Sequence, residues 1–389
     1  HQRHSMLEAG KLAGLDVLRV FNEPSAVALA FGYGKGLARK RILVYDLGGG
    51  TFDASVVEVT GDDLEVISTG GDNFLGGIDF DLRLGEDIMQ RVITEQQIQP
   101  DDSVLTAQRI RDAAEQAKIL LSDRETTQTQ IPQAGRDENG QTVDLKLSVD
   151  RARLESITKD LVDRTLEVTQ AVLSAANIQP QGLDEVLLVG GQSRAPLVRR
   201  TMESAIGRPI RTDVDAEAAV ALGAAILGHA LLQAERGKRG VTLAEVLSAP
   251  IGYLVQGGGM RRVLERNTRL PAEKTITLPA SSGQPVAISV FQGNATLAED
   301  NEYLGVLQLI PDKNGELAVR FAVSPDGKLE VSAAMPGGRK AEATFSTVDA
   351  SEEVKASLFA QAPLPGDPSA QGAQGQGLFG GLKKLFGRK

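Results

Sequence analysis

At 389 residues, 41% hydrophobic and 24% charged, the chain has the composition of a globular protein long enough for two or three domains. A formal net charge of -9 argues against a general nucleic-acid or membrane surface. Cysteine is absent, which excludes disulfides and thiolate metal sites, and the spacing of His1, His4 and His229 does not suit zinc.

No apolar run reaches the roughly 18 residues of a membrane span, and no charged-then-apolar leader opens the chain. The first residues read as the inside of a helix without an initiating methionine, so a fragment of a longer protein is expected. Residues 2–13 have helical periodicity, and "EPSAVALAFGYG" starts a second helix at Glu23 and Pro24. Strands are expected at 42–48, 52–60 and 64–69, with "TGDD" turning between the last two. Helices follow over 77–95 and 103–122, the second entered through Ser103. Strand-like segments at 126–131 and 142–147 lead to a long helix near 150–176. "VLLVGGQSRAPLV" is a strand at 186–189, a Gly-Gly break and a new helix, and an Ala-rich helix near 216–235 closes this α/β half.

Beyond "QAERGKRG" the period changes to two. Val286, Ile288 and Val290 share one face, as do Leu317, Val319, Phe321 and Val323, and then Leu329, Val331 and Ala333. Short strands between Gly, Pro, Asn and Asp turns indicate a β-sandwich. The predicted layout is an α/β domain over 1–235, a linker over 236–248, a sandwich over 249–349, and a tail over 350–389 containing a short helix and a low-complexity stretch.

In "ILVYDLGGGTFDASVVEV" a strand ends in Asp46, breaks at Gly48, Gly49 and Gly50, and resumes after Thr51. Such a hairpin presents backbone N–H groups without side chains, a nest for phosphate oxygens. Asp46, and Asp53 on the face of Thr51, can hold Mg²⁺ beside bound phosphates. A plain tight turn explains the hairpin alone equally well. The break at Gly190 and Gly191 favours two jaws on one nucleotide, since its helix start also attracts anions. No GxxxxGK[ST] is present, which excludes a P-loop enzyme. Glu115, Lys118 and Ser122 fall on one helix face, where they can meet a ribose or base, although a solvated face is the simpler reading of that spacing.

"NEPSAVALAFGYG", "YDLGGGTFD", "GGDNFLGGIDFD" and "LLVGGQSRAPLV" together resemble the seventy-kilodalton heat-shock chaperone family of the DnaK type. "NTRLP", "VFQG" and "DGKLEVSA" extend the resemblance through the β half, so that it covers about residues 2–358. It implies an actin-like (ribonuclease H-like) ATPase lobe followed by an all-β sandwich, binding ATP or ADP with Mg²⁺, and K⁺ as a further ion. Carried over by position, Gly48 to Gly50 and Thr51 form the phosphate hairpin. Asp46 and Asp53 serve the ions or the attacking water, and Glu23 the magnesium shell. Glu115, Lys118, Ser122, Gly190, Gly191 and Arg194 hold the adenosine side. Tyr253, Val255, Gln256, Leu278, Val286 and Ile288 fall on or near a cleft for extended apolar peptides, with Val290 expected in the core.

The implied partners are unfolded polypeptides, a J-domain co-chaperone and a nucleotide-exchange factor, with no nucleic acid, in the cytoplasm. Arg3 falls where the family relays nucleotide state between domains. The family's first lobe and its γ-phosphate lysine do not precede residue 2, so weak nucleotide binding and poor hydrolysis are expected. Glu217 stands at a position the family gives to aspartate. Thr242 and Ala244 replace leucines of the linker, which predicts weaker coupling. The helical lid is reduced to "ASEEVKASL", which predicts fast peptide exchange. Leu378, Phe379, Leu382, Leu385 and Phe386 form one stripe of the tail, with Lys383, Lys384 and Arg388 outside it. That pattern suits a partner groove or an anionic membrane, and a solvated tail equally. Two rivals remain at this stage: an actin-fold kinase of small molecules such as sugars or acetate, and a non-enzymatic peptide-binding adaptor.

Overall fold

The computed structural model describes residues 2–207, 209–211, 218–238, 240–335 and 340–343. Glu217, the short helix expected after residue 350 and the basic tail lie outside them. The described residues are mixed α/β, with four sheets. They form two compact units. The first takes the described residues of 1–40, 57–69 and 220–367, the second those of 41–56 and 70–219.

In chain order, α1 (Gln2–Leu12) and α2 (Glu23–Gly32) precede β1 (Lys40–Leu47), β2 (Phe52–Thr60) and β3 (Asp63–Asp72). Next come α3 (Gly77–Gln96), β4 (Gln99–Pro100), α4 (Val104–Asp123), β5 (Thr126–Arg136), β6 (Thr142–Asp150) and α5 (Arg151–Ala175). Then follow β7 (Glu185–Val189), α6 (Pro196–Ile206), α7 (Ala219–Glu235) and β8 (Leu243–Ala244). The β-rich part has β9 (Ile251–Leu254), β10 (Met260–Leu264), β11 (Ala272–Ala280) and β12 (Val286–Gln292), then β13 (Glu302–Leu309), β14 (Gly315–Val323), β15 (Leu329–Ala334) and β16 (Lys340–Ala343). A five-stranded sheet has the order β7-β1-β2-β3-β8.

In the second unit β1 and β7 are parallel, from Ile42 opposite Glu185 to Asp46 opposite Val189. Ile42, Leu43, Val44 and Tyr45 are fully buried, as a strand covered on both faces requires. The Tyr45 hydroxyl donates to Thr165 Oγ1 of α5 at 2.7 Å, and burial pushes its pKa upward, so it stays a neutral donor. Leu84, Ile88, Ile110, Leu121, Ile131 and Leu147 form a core among α3, α4 and the β5–β6 hairpin. Each such side chain contributes about 1.5–3 kcal/mol on burial. Ser103 Oγ accepts from the Thr106 N–H at 3.2 Å and Asp150 Oδ1 from the Arg153 N–H at 2.7 Å, so both long helices start on side-chain caps.

In the first unit α7 meets α2 at Gly223, where a Cβ would collide with the backbone of Ala26. The segment expected as a linker adds β8 in parallel to β3, with Leu64 opposite Leu243 and Glu65 opposite Ala244. Thr242 is exposed and Ala244 half-buried, so backbone pairing and the next residue, Glu245, do the holding. The Glu245 side chain is 1% exposed. It accepts from Arg3 Nη2 and Asn22 Nδ2, both at 3.0 Å, from the Asn22 N–H at 3.2 Å and from Ser25 Oγ at 3.3 Å.

The β-rich part has two four-stranded sheets, β10-β9-β12-β13 and β11-β14-β15-β16. Ile288, Val290 and Leu307 of one share a core with Leu317, Val319, Phe321 and Val331 of the other. The period-two residues of β14 all point into it. No helix among the described residues is long and apolar enough to cross a membrane.

Glu245→Ala removes the acceptor shared by Arg3, Asn22 and Ser25, and leaves Arg3 only the Val20 carbonyl and Asn22 Oδ1. Amide exchange over residues 240–247 is expected to accelerate by about tenfold or more, the order of one to two lost charge-assisted bonds. Unchanged protection there would mean that the two-residue strand alone retains the segment.

Candidate functional site

Because β1 and β7 run parallel with Asp46 beside Val189, both glycine breaks leave the sheet side by side. Gly190, at φ 82°, has no room for a side chain: a Cβ would press on the Leu47 carbonyl and on Asp46. Only glycine permits that approach. The sequence therefore places a backbone-only surface around the end of β1.

The hairpin after β1 is fixed from two directions. Within it, the Gly48 N–H donates to the Thr51 carbonyl at 3.1 Å. From outside, the first turn of α3 donates its Gly77 N–H to the Gly48 carbonyl at 2.9 Å and its Ile78 N–H to the Gly49 carbonyl at 2.8 Å. These are helix-start donors that would otherwise lack partners. Asp79 closes the cap by accepting the Gly76 N–H at 2.7 Å. The N–H groups of Gly49, Gly50 and Thr51 donate to no acceptor among the described residues. Three adjacent donors, in a loop whose Gly48, Gly49 and Thr51 carbonyls are already held, can receive an anion.

Asp46 and Asp53 are half-buried and Thr51 is exposed. Asp53 lies over Gly71 of β3, whose Cβ would strike the carboxylate. Among the described residues no three His, Asp or Glu side chains converge into a metal cluster. Glu23 belongs to the other unit, where it is exposed at the start of α2.

The face of α4 is less uniform than its spacing implies. Glu115 is exposed and Ser122 half-buried, while Lys118 turns inward with its side chain 12% exposed. Lys118 Nζ pairs with Asp81 Oδ1 at 2.9 Å and donates to the Gly77 carbonyl at 3.1 Å. Burial pushes the Asp81 carboxyl upward, and the Lys118 ammonium opposes that shift. Gly191 and Arg194, on the short 3₁₀ turn Gly191–Arg194, are exposed. Between them, Gln192 is buried, and its Oε1 would lie 3.2 Å from a Cβ placed on Gly77.

The structure adds Gly76, Gly77, Asp79, Asp81 and Gln192 to the surroundings of the hairpin. A Gly-Gly pair followed by Asp two residues into a helix was the available signal, in "GGIDFD". Of the cleft residues, Tyr253 and Ile288 are inside the β core, at 7% and 2% exposed. Val255, Leu278 and Val286 pack against that core while half-buried, and Gln256 is exposed. Val290 is fully buried.

Two glycines of the site should respond oppositely to a methyl group. A Cβ at Gly49 meets nothing within 4 Å, whereas one at Gly76 would lie 2.5 Å from Gly50 N. Gly76→Ala is expected to cost about 1–3 kcal/mol, and Gly49→Ala under about 0.5 kcal/mol. Urea unfolding of the two variants measures this, and equal losses would contradict the packing described.

Comparison with known proteins gives a consistent result. A family profile described as "Hsp70 protein" matches residues 1–359. A protein of Thermotoga neapolitana named "Chaperone protein DnaK" is 38% identical over 354 residues, covering 89% of this chain and 59% of that protein. A second of that name, from Psychrobacter cryohalolentis, is 39% identical over 352 residues, covering 88% and 54%. A third, from Thermosipho melanesiensis, is 38% identical over 341 residues, covering 85% and 57%. The chain thus spans between half and three-fifths of the length of these relatives.

Proposed function

The chain belongs to the Hsp70 family, and from that premise we propose that it carries the peptide-binding part and one nucleotide-binding wall of an ATP-dependent protein-folding chaperone. The observation that carries this reading is the hairpin with N–H groups open at Gly49, Gly50 and Thr51, at the point where both glycine breaks meet. On this reading the second unit is part of an actin-like lobe, and the paired sheets over about 249–349 are a sandwich that binds extended polypeptide.

At the hairpin the three N–H groups receive phosphate oxygens, and no side chain stands in the way. Asp46 and Asp53 fit Mg²⁺, an ion held typically by one or two carboxylates with phosphate and water completing its shell. Mg²⁺, when bound, supplies charge neutralisation on the phosphates. Asp53, steadied over Gly71, accepts a hydrogen bond from water and so orients it, and Thr51 offers a hydroxyl from the same face. Arg194 presents a planar guanidinium suited to stacking on a base. Glu115 and Ser122 offer polar atoms to a ribose.

In the sandwich, Val255, Leu278 and Val286 have apolar surface open to a ligand, above Tyr253 and Ile288 in the core. Extended peptide would bind through its backbone, with apolar side chains taken up at these positions. Gln256, exposed next to Val255 in the chain, adds a polar group at this edge. Unfolded polypeptides in the cytoplasm, a J-domain co-chaperone and a nucleotide-exchange factor are the partners this reading implies.

The test is fluorescence polarisation of a labelled, extended, leucine-rich peptide, with and without Mg-ATP. Saturable binding is expected, weakened about tenfold or more by Leu278→Asp because a charge would enter an apolar site. Absence of saturable binding, or indifference to Leu278→Asp, would overturn the peptide assignment.

A further inference from the structure

We propose that Asp81 and Lys118 form a clamp that positions the glycine hairpin. Lys118 acts through the peptide group between Gly77 and Ile78, and Asp81 holds Lys118 there. The two ends of that one peptide group are the observation. Its carbonyl, on Gly77, accepts from Lys118 Nζ at 3.1 Å. Its N–H, on Ile78, donates to the Gly49 carbonyl at 2.8 Å. A cation on the carbonyl draws electron density from the amide and strengthens the bond its N–H makes, which is the cooperative effect expected of chained hydrogen bonds. The pull of α4 is thereby transmitted to Gly49, next to the hairpin's open donors.

Asp81 is required because a buried ammonium does not stay in place without a counter-charge. The side chains of Asp81 and Lys118 are 5% and 12% exposed, and the ion pair is 2.9 Å long. The carboxylate also sits on α3, the helix whose first turn grips the hairpin, so helix and clamp move together. Gly77 is the residue that admits this contact: a Cβ there would lie 2.9 Å from Lys118 Nζ. The ammonium is thus held inside the protein by its hydrogen bond to the Gly77 carbonyl and by the Asp81 carboxylate beside it. Lys118 is a positioning residue through these two contacts.

The inference rests on the nucleotide reading only for what the hairpin binds; the clamp itself is testable without a ligand. The experiment compares Asp81→Asn and Lys118→Arg with the unaltered chain, measuring amide exchange over residues 46–53 without nucleotide and then affinity for a fluorescent ADP analogue with Mg²⁺. The clamp predicts about tenfold faster exchange in Asp81→Asn, the order of one lost charge-assisted hydrogen bond, with α5 still protected. It also predicts weaker ADP binding in that variant and near-normal hairpin exchange in Lys118→Arg, because a guanidinium can still pair with Asp81 and reach the Gly77 carbonyl. If Lys118 served the nucleotide alone, Asp81→Asn would free its charge, leaving exchange unchanged and binding equal or tighter; that outcome overturns the clamp. If the unaltered chain binds no ADP, the nucleotide reading fails while the exchange result still decides the clamp. Should Asp81→Asn not fold, Lys118→Met against Lys118→Arg supplies the same comparison, and equal hairpin exchange in those two variants overturns the proposal.

Discussion

The second unit depends on a pair of hydrogen bonds in which a helix start grips a loop. The Gly77 and Ile78 N–H groups would be stranded at the beginning of α3, and the Gly48 and Gly49 carbonyls would be loose in a three-glycine turn. Joined, each satisfies the other. A glycine run is the most flexible backbone available, and rigidity has to come from its neighbours. Here it comes from α3, from the Gly190 backbone pressed beside Asp46, and from β1, buried on both faces. While those bonds immobilise the Gly48 and Gly49 carbonyls, the N–H groups of Gly49, Gly50 and Thr51 meet no backbone acceptor among the described residues. Order and openness coexist in this loop.

The surrounding residues follow from that requirement. Gly76 must be glycine because the Gly50 backbone lies against it, and a side chain at Gly77 would displace the ends of Lys118 and Gln192. Close approach of this kind excludes water from the polar atoms and makes their pairing matter more. Asp81 is the clearest instance, a carboxylate inside the protein whose ammonium partner also reaches the helix start. In the β-rich part the constraint is of another kind. There, apolar side chains of two sheets fill one core, and Val255, Leu278 and Val286 are among the half-buried side chains at its fringe.

Much of this was legible in the sequence. Period 3.6 and period 2 placed the long helices and strands, since each must turn one apolar face inward. Ser103 announced α4, and the two glycine breaks were visible as interruptions of apolar runs. Their adjacency was not visible, because it arises from the parallel pairing of β1 with β7, far apart in the chain. β4 and β8 escaped notice because two residues carry no period. Lys118 read as part of a polar helix face; its inward turn is decided by Asp81, a partner on another helix. The burial of Tyr253 and Ile288, next to the half-buried Val255 and Val286, likewise depends on the facing sheet, which alternation along one strand cannot specify.

The contacts of Glu245 give β8 something a strand of its length cannot supply. Two residue pairs define a ladder but scarcely a register, and a slip by one position would turn every side chain to the opposite face. Such a slip would bring Ala244 or Val246 to the place where Arg3, Asn22 and Ser25 converge, and neither has an acceptor to offer them. The carboxylate therefore acts as an index mark. The segment has one favoured seat on β3, and offsets from it are penalised by the loss of these bonds.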